Sequence, residues 1–423
     1  MSTQTLTTAD AILKDMYIGP IIEQLNYKTY MIDQIERESN LTLDHQGRRA
    51  IVPVHKSRNR GRGSRGDGGT LPSAGYQSWE DAIIPITRHY QAIELTDAAI
   101  KSTQSNSGSF ANLLDAEVKG ATNDLKKDIN RQIWGPGDGL LATVAATATT
   151  ATTITVDSIQ YLHIGDPVDV LRRTDSSTAG AGYNNNSVTA LDAANKTVTL
   201  ATQVAGTTAT TFGIYLAGSK GQEMVSMQEI VSTSRSLFGI DSSTAGNEFW
   251  DAQVTNVGTQ AASPAVAGET AFEVIADNVG ATGQGETESF ITTRGIRRRL
   301  ADSFQSTKRF TNKDAVRIHG GYSAIMVASG NGEVPVVIDD DAPKGYVWAC
   351  DKQALRWFQN WGPGFLEAPK DGSVFHLKNG STAGTHEATW QAYMGWYATL
   401  ASVAPNRLGK LQYATDDDPG VTA

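Results

Sequence analysis

The residues best placed by type and spacing to act on something else are a run of cations. Arg48, Arg49, Lys56, Arg58, Arg60, Arg62 and Arg65 crowd one stretch of a 423-residue chain whose net charge is −9. Arg58, Arg60 and Arg62 alternate, so in an extended chain they project from one edge. Two chemistries suit such an edge. One is contact with a phosphate backbone; the other is docking onto an acidic surface of a neighbouring subunit. No Phe, Trp or Tyr stands between Arg48 and Leu71 to stack on a base, which favours docking. Lys56, Arg58, Arg60, Arg62 and Arg65 are the candidate inter-subunit contacts.

The other motifs point away from catalysis. Gly61-Arg-Gly-Ser-Arg-Gly66 has G-x-G-x-x-G spacing, but Asp67-Gly-Gly-Thr-Leu-Pro72 follows and cannot start the helix that would hold a pyrophosphate. Arg65-Gly-Asp67 resembles an adhesion tripeptide inside a segment already rich in Arg and Gly. Arg297-Arg-Arg299 lies beside Ile296 and Leu300 and reads as a solvated or interface face of a helix. Asp339-Asp-Asp341 lacks the spaced ligands of a calcium loop and reads as a turn after a strand. The histidines at 45, 55, 89, 163, 319, 376 and 386 show no metal-ligand spacing. Cys350, the single cysteine, excludes an internal disulfide framework and ends a core-like strand, YVWAC. There is no G-x-S-x-G and no P-loop. The expectation is a chain that is not an enzyme, with no catalytic residues, no metal and no cofactor.

The elements around the cations give them their setting. Ala50 to His55 reads as a strand and Asp81 to Leu95 as its return, with Pro53 and Pro85 marking exposed edges. The tip, Ser57 to Gly75, is too glycine-rich to bury a core and should be ordered only where a neighbour covers it. Next comes Ser109 to Trp134. Phe110, Leu114, Val118, Ala121, Leu125, Ile129 and Ile133 recur at helical spacing, opposite Asp115, Lys119, Asn123, Asp124, Lys126, Lys127 and Asn130. Ser109 can cap this helix and Gly135-Pro136 ends it.

Leu141 to Leu216 is dense in Thr, Ala, Val and Gly. Short strands are expected at 152–156, 167–171, 187–191, 197–200 and 212–216, as a small barrel or sandwich between glycine-rich joints. Beyond it the pattern is mixed. Helices are expected over Gln222 to Phe238, from Thr270, around Ile296 to Phe304, and over Lys352 to Phe358. Strands are expected at 322–328, 334–338, 346–350 and 389–403. Residues 1–40 form an arm, and the tail from Thr415 should fray. No apolar run approaches a bilayer span and no secretory signal is present, so the chain reads as soluble and made in a cytoplasm.

This order of parts resembles the major capsid proteins of tailed bacteriophages, the Hong Kong 97-type fold. Three stretches carry the likeness. They are the arginine-glycine hairpin followed by the helix to Trp134, the segment Gly332 to Tyr346 (GEVPVVIDDDAPKGY), and Thr389 to Leu411, where an aromatic strand ends in Ala404-Pro405. The resemblance implies an α+β fold. Its parts would be an N-terminal arm (1–40), an extended hairpin loop (41–100), a peripheral domain with a spine helix (101–140), an inserted all-β domain (141–218), an axial domain (219–345), the peripheral return (346–411) and a tail (412–423). It implies a structural subunit that assembles as hexamers and pentamers into an icosahedral virion shell, made in the host cytoplasm. Such a shell encloses double-stranded DNA without sequence-specific binding and has no membrane. A separate scaffolding protein, a portal and a decoration protein are the implied partners. The competing reading is a virion surface or tail protein that binds a host receptor or glycan through the threonine-rich β segment.

Overall fold

The computed structural model describes residues 31–32, 35, 37–38, 49–98, 107–146, 148–175, 183–207, 210–307, 325–330, 332–367, 372–379 and 385–417. The expectations for most of the arm, for 39–48 and for the end of the tail lie outside the described residues. The chain divides into two compact units. One takes Met1–Val52, Ile83–Arg131 and Leu355–Ala401; the other takes Pro53–Ala82, Gln132–Ala354 and Ser402–Ala423.

In chain order, β1 (Arg37–Glu38) precedes the hairpin of β2 (Arg49–Ser57) and β3 (Ser78–Pro85), then β4 (Arg88–Thr96) and helix α1 (Ser107–Trp134). Strands β5 (Leu140–Thr143), β6 (Ala148–Thr155), β7 (Pro167–Arg172), β8 (Asn186–Asp192), β9 (Thr197–Thr207) and β10 (Phe212–Leu216) follow. The short helix α2 (Met227–Ile230), the ribbon β11 (Ser236–Leu237) and β12 (Ile240–Asp241), β13 (Gln253–Asn256), helix α3 (Glu269–Gly283), β14 (Ser289–Thr292) and helix α4 (Arg294–Thr307) come next. The chain then runs through β15 (Ile325–Ser329), β16 (Gly332–Ile338), β17 (Val347–Cys350), β18 (Leu355–Phe365), β19 (His376–Asn379), β20 (His386–Ser402) and β21 (Gly409–Gln412).

In the first unit β20 is the common partner: β4, β18 and β19 pair with it, and β1 adds to β18 in parallel. Alternation along β20 puts Ala392, Met394, Trp396, Ala398 and Leu400 in the core. On α1 the expected stripe is buried at Val118, Ala121, Leu125 and Ile129. The helix starts at Ser107, two residues before the expected cap. Its polar side needs correcting. Lys126 and Asn130 are only 5% and 6% exposed, because the second half of the helix is covered on more than one side.

The expected return strand of the hairpin is two strands. Pro85 has no N–H to continue the ladder, and the chain turns through Ile86 and Thr87, after which β4 pairs with β20 instead of β2. The turn is fixed by side chains. Thr399 Oγ1 accepts from Thr87 N–H at 2.9 Å and donates to Pro85 O at 2.8 Å. Thr87 Oγ1 donates to Ala398 O at 2.7 Å, and His89 Nε2 donates to the same carbonyl at 3.1 Å. His89 is buried, which pushes its pKa below the ordinary 6.5 despite that bond.

In the second unit, β5-β10-β7-β8-β9-β6 form one sheet whose ends meet. Val144 bridges Val156, with Ala145 N–H to Thr155 O at 2.8 Å and Asp157 N–H to Thr143 O at 3.0 Å. The sheet thus closes as a small barrel around Val168, Val170, Tyr183, Val198, Phe212 and Ile214. All five expected strands are present, and β5 completes the ring. At the joint before it, Gly137 and Gly139 take left-handed φ of 85° and 87°. A Cβ on Gly137 would stand 2.8 Å from the Glu229 carboxyl carbon, so a carboxylate packs where a side chain would be.

A mixed sheet, β13-β21-β17-β14-β16-β15, with α3 and α4, makes the rest of this unit around Phe272, Phe290, Ile296, Leu300 and Leu411. Cys350 is buried in it and its thiol pKa is pushed up to about 12 by that burial, as befits a core residue. Two expected helices are corrected. Gln222 to Phe238 is helical only over Met227–Ile230. Arg235 reaches back to the carbonyls of Glu229 (2.6 Å), Ile230 (2.5 Å) and Trp250 (3.2 Å), holding an irregular chain. Lys352 to Phe358 is one 3-10 turn, Lys352–Ala354, leading into β18. The tail is also not frayed as far as it is described: Thr415 N–H donates to Ala265 O at 2.8 Å.

Thr399→Val keeps the shape but removes both bonds at the Pro85 turn, and should cost about 1–3 kcal/mol in denaturant unfolding. For His89 the folded pKa lies below the unfolded 6.5. Its neutral form therefore contributes stability that is present above pH 6.5 and lost as pH falls below it. The stability difference between wild type and His89→Gln should shrink on acidification through that window, read from urea midpoints.

Candidate assembly surface

The cation-bearing segment is the distal part of the β2–β3 hairpin. At its base Ala50, Ala82 and Ile84 are buried; beyond them exposure takes over. Ser57 and Ser78 hydroxyls meet at 2.7 Å, the last rung before the strands end. Past it, two chain segments run side by side without a ladder. Gly61 and Gly75 let them touch. A Cβ on Gly61 would be 2.6 Å from Ser73 O, and one on Gly75 would collide with Asn59 Oδ1 and stand 2.8 Å from Gly61 N. Asn59 Oδ1 accepts from Gly61 N–H at 2.7 Å.

The five candidate residues do not behave alike. Lys56 pairs with Glu80 across the hairpin at 2.9 Å, so its charge is answered within the chain. Arg65 folds back, with Nε donating to Thr70 O at 2.8 Å and Nη1 to Ser64 O at 3.2 Å. Arg58, Arg60 and Arg62 are exposed and have no side-chain partner among the described residues. They do not lie on one straight edge. Arg62 N–H donates to Arg60 O at 2.8 Å, a three-residue turn that interrupts the alternation.

The sequence reading missed the apolar half of this surface. Tyr76, Leu71 and Trp79 are 82%, 80% and 62% exposed, and Ile51 is exposed as well. The His55 ring lies beside Trp79, at 4.9 Å between centroids. Large apolar side chains in a segment without an apolar stripe were the available signal, since such a segment has no interior to put them in. Guanidinium groups beside exposed aromatic and aliphatic side chains make a surface suited to burial against protein.

The Gly61–Gly66 segment is followed by a turn at Asp67-Gly68 and more coil. The Asp339–Asp341 run is a turn, with Asp341 N–H donating to Asp339 Oδ1 at 3.1 Å. Among the described residues no three His, Cys, Asp or Glu side chains converge as a metal site would require. No described helix is long and apolar enough to cross a membrane.

No family profile matches the sequence, and no curated protein matches it. Solved structures do. The chain of the cyanophage A-1(L) capsid asymmetric unit superposes with a TM-score of 0.52 over 92% of this chain and 94% of its own length, at 11% identity. A chain of Gordonia phage Cozz gives a TM-score of 0.46 over 92% and 88% at 11% identity. The capsid chain of a native GTA particle gives 0.44 over 92% and 91% at 10%. The first of these carries the comparison, and at that identity what it shares with this chain is the fold. The chain thus has the strand-rich, mixed α/β fold of a phage capsid protein, and the resemblance to tailed-phage major capsid proteins is borne out at that level.

Gly75→Val should splay the hairpin tip without touching either core. Tryptic cleavage at Arg58, Arg60 and Arg62 should speed up while the global thermal midpoint stays put; an unchanged cleavage rate would mean the two segments are not held together there.

Proposed function

We propose that this chain is the major capsid protein of a tailed phage, a non-enzymatic subunit that assembles as hexamers and pentamers into an icosahedral shell around double-stranded DNA. The observation that carries this reading is the capsid-type fold running through nearly the whole chain. The hairpin supports it, because its exposed arginines and aromatics have no use in an isolated subunit.

In this reading β2, β3 and the tip are the extended loop, and α1 is the spine helix. The β20-centred sheet is the peripheral domain, and the mixed sheet with α3 and α4 is the axial domain. The β5–β10 barrel is an insertion, outermost because insertions are tolerated at exposed sites. The product is the virion, formed in the host cytoplasm. Scaffolding, portal and decoration proteins are the further partners it implies. Arg58, Arg60 and Arg62, with Leu71, Tyr76 and Trp79, would be buried against a neighbouring copy.

Negative-stain imaging of the purified protein tests the reading directly: closed shells or capsomer rings support it, while fibres or featureless small particles count against it. Arg58→Ser, Arg60→Ser and Arg62→Ser together should leave subunit unfolding nearly unchanged, since exposed charges of this kind contribute about 0–1 kcal/mol each, yet lower shell yield. Normal assembly of this variant would remove the arginines from the interface.

A further inference from the structure

Lys410, in the middle of β21, is only 9% exposed. Its register partner on β17 is Trp348, so both side chains leave the sheet on the face away from the Phe290–Leu411 cluster. The ammonium lies beside two rings, 5.6 Å from the Trp348 centroid and 5.9 Å from that of Tyr346, and the rings stack on each other at 5.9 Å. Ring faces attract a cation, but they do not replace the hydrogen bonds an ammonium makes with water. Among the described residues no carboxylate, carbonyl or hydroxyl accepts from it.

What faces it is a second cation. Arg235, with its side chain 12% exposed, comes from the irregular chain between α2 and β13 and repels Lys410. The anions of that segment are turned elsewhere. Asp251 Oδ1 lies 3.6 Å from Arg235 Nη1 and accepts from Ser234 N–H at 2.9 Å, and Glu229 packs its carboxylate on Gly137. Burial, with the Arg235 charge second, pushes the Lys410 pKa down to about 8. Burial pushes Arg235 down only to about 10 and lifts the Tyr346 phenol above its ordinary 10, so neither titrates with Lys410.

The segment that carries Arg235 is strained. Ser234 and Phe238 both take a left-handed φ of 53°, and for a side chain as bulky as Phe that conformation persists only where its surroundings impose it. The segment is closed by Trp250 Nε1 to Leu237 O at 3.1 Å, by Asn247 Nδ2 to Asp241 O at 2.9 Å, and by Arg235 on its three carbonyls. Its 3-10 turn, Glu248–Trp250, packs on the turn Pro405–Arg407 that leads into β21.

We propose that residues 232–251 form a strap over β17 and β21 whose closure is set by the proton on Lys410: the strap opens locally while the amine is charged and tightens when the proton leaves. Opening lets water reach the ammonium and parts it from Arg235, so the open state holds the proton more tightly than the closed one. The closed-state pKa lies below the 10.5 of a solvated lysine. The added closure is therefore fully present above pH 10.5 and is lost as pH falls to 8. The inference concerns the folded subunit and holds whether or not that subunit builds shells.

The test is pulsed amide hydrogen exchange of the full chain from about pH 7 to 9.5, with each rate corrected for intrinsic exchange. Protection of peptides spanning Arg235 to Trp250 should be level up to about pH 8 and then rise about tenfold per pH unit, while peptides of the β5–β10 barrel stay level. Lys410→Met should give high protection of the strap at every pH. Lys410→Arg, charged throughout, should give low protection at every pH. If Lys410→Met fails to fold, the contrast between wild type and Lys410→Arg carries the test. Strap protection that stays level in the wild type across this range would overturn the proposal. So would a rise that persists in either variant, or one that the barrel shares equally.

Discussion

The hairpin depends on one hydroxyl. Thr399 Oγ1 sits between Thr87 N–H and Pro85 O and closes the turn at which the chain leaves β3 for β4. Proline breaks the ladder at this point, and the groups it frees would be costly if left unpaired away from water. Thr399 satisfies them from β20, the strand that also pairs with β4. The same strand therefore holds the sheet together and fixes where the hairpin is rooted.

A second constraint governs the joint after α1. The helix ends at Trp134, whose carbonyl accepts from Gln228 Nε2 at 2.7 Å. Two left-handed glycines follow, at 137 and 139. The Asp138 carboxylate between them accepts from Leu140 N–H at 3.1 Å and from the Tyr215 hydroxyl at 3.3 Å. The first and last strands of the barrel are thereby held to one aspartate, so the barrel begins and ends in the same place.

Local pattern was enough to read α1, the barrel strands and the long β20, because each buries one face at a single period. It failed where burial is not periodic. Met224, Met227, Val231 and Phe238 sit at helical spacing, yet most of that stretch is irregular chain held by Arg235. The β18 strand carries buried residues without clean alternation, which hid its period. Lys126 and Asn130 looked solvated because what covers them comes from elsewhere in the chain. The Arg297–Arg299 and Asp416–Asp418 runs were both visible as runs, but Arg298 and Asp417 meet across 119 positions and no local rule joins them. For the candidate surface, the arginines were legible from spacing. The exposed Leu71, Tyr76 and Trp79 required knowing that the tip has no interior.

The closed seam of the barrel has a consequence for crowding. An open sheet presents a row of unpaired N–H and C=O groups along its outer strand, a template on which another chain can grow. Wherever many copies of a chain are held close together, such a template is repeated at very high local concentration, and one stray pairing can propagate. The Val144–Val156 bridge joins the two outermost strands of this threonine-rich sheet to each other, which uses those groups internally. The seam thereby shortens the edge on which another copy could add a strand, and substitutions elsewhere on the barrel surface leave that closure in place.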